Sequence, residues 1–323
     1  MFKKKLGFLL GVMVLLSLAG YLVCLTMGSE KKVNKDETFL LVTSFYPMYV
    51  LAENVTAGVE GIEVTNLTEN QTGCLHDYVV SPQDMRRLDE ADAFLINGAG
   101  MELFLEKIMQ NFPKLPVIEA SQGIPLLEGE EHHHDHEEEE QESGHDGHGH
   151  EEHSHATNGH VWMDVERYRV QLAAVTKELR DLMPKQADAI SQAAAAYDNK
   201  LQVLAEGVKD LKEHTEGIHV VIFHEAFAYL AESLGMDVLM AFSLDENSEP
   251  SPGEITEAIE EINYHGTALI LIEKEYASHA NSILADADAK VVYINPLTTG
   301  DGAADSYLSG MWENLNAIRQ VVE

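Results

Sequence analysis

The sequence predicts an α/β protein built as two similar lobes, each a parallel sheet of βα repeats, joined by one long rigid helix. Three observations predict it. Short apolar, β-branched runs alternate with helical stretches; that alternation occurs once on each side of a segment rich in Ala, Leu, Gln, Glu and Lys; and that segment, residues 165–213, is broken mainly by Pro184. A parallel sheet with helices on both faces is the economical way to bury such runs.

The chain opens Met1-Phe2-Lys3-Lys4-Lys5, carries no formal charge from Leu6 to Ser29 and turns polar at Glu30-Lys31-Lys32. Basic, then apolar, then polar is the order of an export signal or an amino-terminal anchor, and the apolar run is long enough to span a bilayer. Residues 1–29 are therefore expected to export the protein and tether it to the outer face of the cell membrane. Cys24 lies within the run, but Tyr21-Leu22-Val23 lacks the small residue a lipoprotein peptidase expects before the cysteine. Lipoprotein, plain anchor and cleaved secretion stay open. About 290 residues follow, enough for two domains with cores of their own. Cys74 is the one cysteine among them, so the fold must hold by packing and not by intrachain disulfides. A formal net charge of -34 disfavours nucleic acid and favours cations.

Residues 30–183 are expected to form the first lobe. Phe39–Phe45 reads as a strand, with Tyr46–Ala52 starting a helix, and Ile62–Leu67 reads as a second strand. Ser81-Pro82-Gln83-Asp84 has the helix-start pattern of a hydroxyl cap, an early proline and an acid three residues on. Ala93–Asn97 and Pro116–Ala120 are further strands, with Met101–Asn111 as the helix between them. Residues 129–159 are acidic, histidine-rich and almost free of large apolar side chains, and are expected to be a disordered insert. One helix is expected from about Val165, and residues 184–213 form the interlobe helix, a strut of 1.5 Å per residue.

Residues 214–323 repeat the alternation as a second lobe. Ile218–Phe223, Asp237–Ala241, Ala268–Ile272 and Val291–Ile294 read as strands; Ala226–Leu234, Gly253–Tyr264, Ser278–Asp286 and Ala304–Val322 read as helices. Two such lobes leave a cleft at the carboxyl ends of their strands, where sheets of this kind bind ligands.

His76, His160 and His224 each stand at the edge of a predicted element. Three imidazoles arriving from separate loops suit a borderline ion such as zinc, although each taken alone reads more readily as a cap or a hydrogen-bonded boundary residue. His214, His219, His265 and His279 have weaker claims, beside polar neighbours or on turn and helix surfaces. Glu225 either orients an imidazole or is an exposed carboxylate at a helix start. The insert carries nine histidines, His132, His133, His134, His136, His145, His148, His150, His153 and His155, interleaved with Asp and Glu. They form overlapping flexible ligand sets of low affinity, since ordering entropy opposes each capture; an inert solubilising linker is the alternative.

Several segments together resemble the zinc branch of the cluster A-I metal-binding proteins of ABC importers. These are Gly73–Tyr78 with Ser81–Asp84, Ala91–Gly98, Gly159–Asp164, Phe223–Leu230 and Tyr293–Leu297, and they cover nearly all of the exported part in family order. The resemblance implies a metal site in the interlobe cleft with His76, His160 and His224 as its ligands. Manganese-type relatives carry a carboxylate at the third position, so His224 argues for zinc. The family's usual fourth carboxylate is missing: Asn295 and Thr298 stand where relatives place acids, which leaves water first and Glu273 second as the fourth ligand. The resemblance further implies an ABC permease and its ATPase as partners, a monomeric protein, and capture and delivery of Zn2+ with no bond chemistry. An extracellular zinc buffer or adhesin is one alternative. A zinc hydrolase using Glu225 as base is another, disfavoured because the chain has no His-Glu-x-x-His motif.

Overall fold

The computed structural model describes residues 38–68, 75, 78–129, 157–242 and 250–323. The leader, His76 and the nine histidines of the insert lie outside the described residues. No described helix is long and apolar enough to cross a membrane.

Two parallel sheets carry the fold. The first contains β1 (Phe39–Thr43), β2 (Ile62–Asn66), β3 (Ala93–Ile96) and β4 (Val117–Glu119) in the order β2-β1-β3-β4. The second contains β5 (His219–Ile222), β6 (Asp237–Ala241), β7 (Ala268–Ile272) and β8 (Ala289–Tyr293) in the order β6-β5-β7-β8. Both follow the same permutation: the chain steps one way from the first strand, then crosses back to build outward on the other side. In each sheet the direction of winding reverses between the first and third strands, so helices diverge there and leave a crevice at the strand ends. Of the central strands, β3 and β7 are apolar throughout because both faces are covered, and every residue of each is buried.

The described helices are α1 (Tyr46–Val55), α2 (Pro82–Asp89), α3 (Leu105–Asn111), α4 (Val165–Leu182), α5 (Ala187–Thr215), α6 (Ala226–Ser233), α7 (Pro252–His265), α8 (Ala280–Asp286) and α9 (Ser306–Val322). Ser81 caps α2 through a reciprocal box with Asp84, and Ser251 with Glu254 does the same for α7. Pro184 falls in the break between α4 and α5, where its missing N–H costs no helical bond. The 29 residues of α5 span roughly 43 Å. They pack on α1 of the first lobe, on α4 and on α9 of the second. Arg169 on α4 grips both carboxylate oxygens of Asp198 on α5 at 2.7 and 3.1 Å. One apolar cluster runs from Leu41 and Phe94 through Tyr168, Leu201 and Leu211 to Tyr229 and Ile318; a smaller one, with Phe223, Phe242 and Ile262, covers the other face of the second sheet.

The helix expected from Met101 starts only at Leu105. Gly98, Ala99 and Gly100 all have positive φ, so the chain is still turning there. Glu102 is also drawn inward to accept from Ser44 Oγ (2.7 Å), Asn97 N (2.8 Å) and Gly98 N (3.0 Å). Strand β8 begins at Ala289, two residues ahead of the apolar run, because pairing with β7 carries it through Lys290.

Candidate metal centre

Strand register builds the second-lobe half of the centre. Ile222 of β5 lies opposite Leu271 of β7, so two residues further along each strand His224 and Glu273 emerge side by side. Glu273 Oε1 stands 2.8 Å from His224 Nδ1, and both side chains are largely buried. A carboxylate oxygen only accepts, so Nδ1 carries the proton and the ring's lone pair is on Nε2.

The first-lobe half is assembled where the chain returns from the insert. Asn97, at the end of β3, donates from Nδ2 to Gly159 O at 2.9 Å, and Gln171 of α4 donates to Asn97 Oδ1 and Ser121 Oγ, both at 2.8 Å. This buried amide network pins Gly159 against the sheet, and a tight turn, Val161–Met163, leads into α4. His160 is 1% exposed, packed 5.2 Å from the Trp162 ring, which itself meets Phe45 edge-on at 5.0 Å. Trp162 Nε1 donates across to Pro296 O at 2.8 Å, beyond the end of β8, and Tyr307 OH on α9 donates to Trp162 O at 2.7 Å.

The two halves meet. The His160 and His224 rings approach edge to face with centroids 5.0 Å apart, close enough for one ion to lie within reach of both. His160 Nδ1 is 2.9 Å from Asn158 Oδ1. Phe227, in the first turn of α6, lies 5.6 Å from His224 and adds an apolar wall. Among the described residues no set of three His, Cys, Asp or Glu side chains is grouped to hold an ion; His76, the third ligand expected, lies outside them. His219 and His265 pair at 4.9 Å at the opposite end of β5, away from this centre, and His279 packs 6.1 Å from Tyr276.

A family model described as zinc-uptake complex component A, periplasmic (ZnuA), matches residues 41–321. The chain belongs to the ZnuA family. This is a family of transport proteins and not of catalysts. Within it, the chain is 28% identical over 320 residues to the zinc-binding lipoprotein AdcA of Streptococcus pneumoniae, an alignment covering 95% of this chain and 60% of AdcA. The chain thus spans about three fifths of the length of the curated relatives it matches first. It is 26% identical over 331 residues to the high-affinity zinc uptake system protein ZnuA of Bacillus subtilis, covering 99% of this chain and 98% of that one. Among solved structures, Zn(II)-bound AdcA from Streptococcus pneumoniae matches with a TM-score of 0.69 at 25% identity, over 88% of this chain and 58% of AdcA. The SBP FpvC of P. aeruginosa in complex with Ni2+ matches with a TM-score of 0.71 at 22% identity, over 88% of this chain and 97% of that one, a likeness of ZnuA-family fold alone.

The residues that sequence reasoning missed are Asn158 and Tyr229. Asparagine before glycine reads as a turn, and a tyrosine inside an apolar helix reads as core. The available signal was position: Asn158 stands two residues before a candidate ligand and directly after the insert.

Proposed function

We propose that this protein captures Zn2+ outside the cytoplasm and delivers it to the permease of an ABC importer driven by an ATPase. The observation that carries this reading is the approach of His160 and His224 from opposite lobes, each with Nδ1 held by an oxygen, which assigns the metal-binding lone pair to Nε2. In this reading His76 supplies the third imidazole and water the fourth position. Glu273, ranked behind water as a fourth ligand, acts in this reading on the metal through His224, as carboxylates behind zinc-binding histidines do. A site rich in imidazole favours zinc over manganese, which prefers oxygen donors. Family membership and the names of the zinc-binding AdcA and zinc-uptake ZnuA relatives support the same ion.

The remaining parts of the reading concern regions outside the described residues. Residues 1–29 anchor a monomeric protein at the outer face of the membrane, with acylation of Cys24 as one form of the anchor. The insert histidines at 132–134, 136, 145, 148, 150, 153 and 155 gather zinc weakly near the tight centre.

Competition titration with a chromophoric chelator tests the assignment. One tight zinc equivalent is expected in the wild type, lost in His76→Ala, His160→Ala and His224→Ala. Weaker equivalents should disappear when residues 129–156 are replaced by an Asn-Gly turn. Undiminished tight binding in His224→Ala would refute the site.

A further inference from the structure

We infer, on the zinc-capture reading given above, that Asn158 is the positioning residue of the centre: it fixes the tautomer of His160 and latches that imidazole to the lobe that carries His224. Four contacts place it there. Its Oδ1 accepts from the His160 backbone N–H at 3.0 Å and lies 2.9 Å from His160 Nδ1. Its Nδ2 donates to the carbonyl of Glu225, the residue after His224, at 2.8 Å. Its own carbonyl accepts from Tyr229 OH on α6 at 2.7 Å. The residue is 2% exposed, so an amide lacking these partners would be buried at a cost.

The orientation of this amide is dictated chemically. The His160 backbone N–H can only donate and the Glu225 carbonyl can only accept, so exchanging Oδ1 and Nδ2 would set donor against donor and acceptor against acceptor. With Oδ1 thus fixed toward His160, Nδ1 of that ring must be the N–H, and the lone pair resides on Nε2. The same tautomer is imposed on His224 by Glu273. Two different acceptors, one amide and one carboxylate, therefore prepare both rings identically before any ion arrives. Because one side chain holds His160 and the backbone beside His224, the separation of the two rings is set by a rigid amide and not by the flexible approach of two lobes.

The root of the insert is tied into the same latch. Asn158 N donates to Leu127 O at 3.0 Å, Leu127 N donates to Tyr229 OH at 3.1 Å, and Glu128 bridges Thr157. Both feet of the insert therefore converge on one tyrosine hydroxyl of the second lobe.

Long-range 15N–1H spectra of histidine rings in metal-free protein, with His160 assigned by its loss in His160→Gln, read the tautomer directly. The wild type should show a single Nδ1–H form for His160. Asn158→Ala should show mixed tautomers and a zinc affinity lower by roughly 10–100-fold. Asn158→Asp keeps the acceptor for Nδ1–H but loses the donor to the Glu225 carbonyl, so it should restore the single tautomer while part of the affinity stays lost with the latch. An Nε2–H form in the wild type, or mixed tautomers in Asn158→Asp, would overturn the proposal without reference to whether Asn158→Ala folds. So would an Asn158→Ala protein with one tautomer and full affinity in which His160→Ala and His224→Ala still abolish tight binding; that result leaves the capture reading standing. Tight binding that survives His160→Ala and His224→Ala removes the capture reading, and this inference with it.

Discussion

Glu273→Ala separates an orienting carboxylate from a ligating one. In the wild type the Glu273–His224 contact is 2.8 Å long between side chains 18% and 12% exposed, so it is little screened and charge-assisted when the ring binds a cation. Deleting the carboxylate frees the imidazole to rotate and removes the negative charge that raises its basicity as a ligand. Outer partners of this kind are worth about 10–100-fold in metal affinity, or roughly 1.4–2.7 kcal/mol. Glu273→Gln retains an acceptor for Nδ1–H and gives up only the charge, so it should recover about half of that loss on a logarithmic scale. The assay is chelator-competition titration of zinc at constant pH, with thermal melting of the metal-free variants as a check on folding. A fourth-ligand role predicts a different pattern, with Gln and Ala equally impaired because an amide oxygen is a poor substitute for a coordinating carboxylate. If Glu273→Ala binds zinc within twofold of the wild type, the orienting role is wrong.

Three further outcomes follow from the packing. Burial pushes the carboxyl of Glu102 up to about 7 from an ordinary 4.5, against the pull of the Ser44 hydroxyl and the Asn97 and Gly98 amides. Its stabilising contribution is therefore complete below pH 4.5 and is lost as pH rises through about 7; denaturant unfolding of Glu102→Gln should lack this decline of roughly 3 kcal/mol, and parallel pH profiles would contradict it. Trp162→Phe leaves the Pro296 carbonyl without its indole partner and should lower unfolding free energy by about 1–3 kcal/mol, read from the denaturation midpoint at unchanged slope. Gly310→Ala would set a methyl group on the Leu297 side chain, itself held in a positive-φ conformation; overpacking of about 1–3 kcal/mol should exceed the helix-propensity gain of up to about 1 kcal/mol, so a stabilised variant would show that α9 yields.

Local information made the strands and most helices legible. The runs in β3 and β7 are apolar because both faces are covered, and the hydroxyl-proline-acid pattern at Ser81 announces a cap whose physics is contained in four residues. The start of α3 was illegible because it depends on where Glu102 goes, and an acid in a helical pattern reads as surface until the ends of β1 and β3 surround it with donors. At the candidate site the sequence singles out His160 and His224, and the fold lays their rings together, but it does not announce what stands behind them. Glu273 reaches His224 only because β5 and β7 are neighbours in register, a non-local fact separated by 49 residues in the chain. Asn158 is similar: its importance lies in the Glu225 carbonyl and the Tyr229 hydroxyl, both contributed by the other half of the molecule.

The apolar cluster that extends from Leu41 to Ile318 makes the halves of this protein inseparable as folding units. Helices α4, α5 and α9 each bury residues in it, so a fragment ending after α4 would lose α5 and the Tyr307 ring stacked on Tyr168 at 3.9 Å, and a fragment beginning at β5 would lack α5, against which α9 packs. Calorimetry should accordingly give a single cooperative transition whose van't Hoff and calorimetric enthalpies agree. Recombinant exchange of one half for that of a relative should require α5 to travel with its own neighbours.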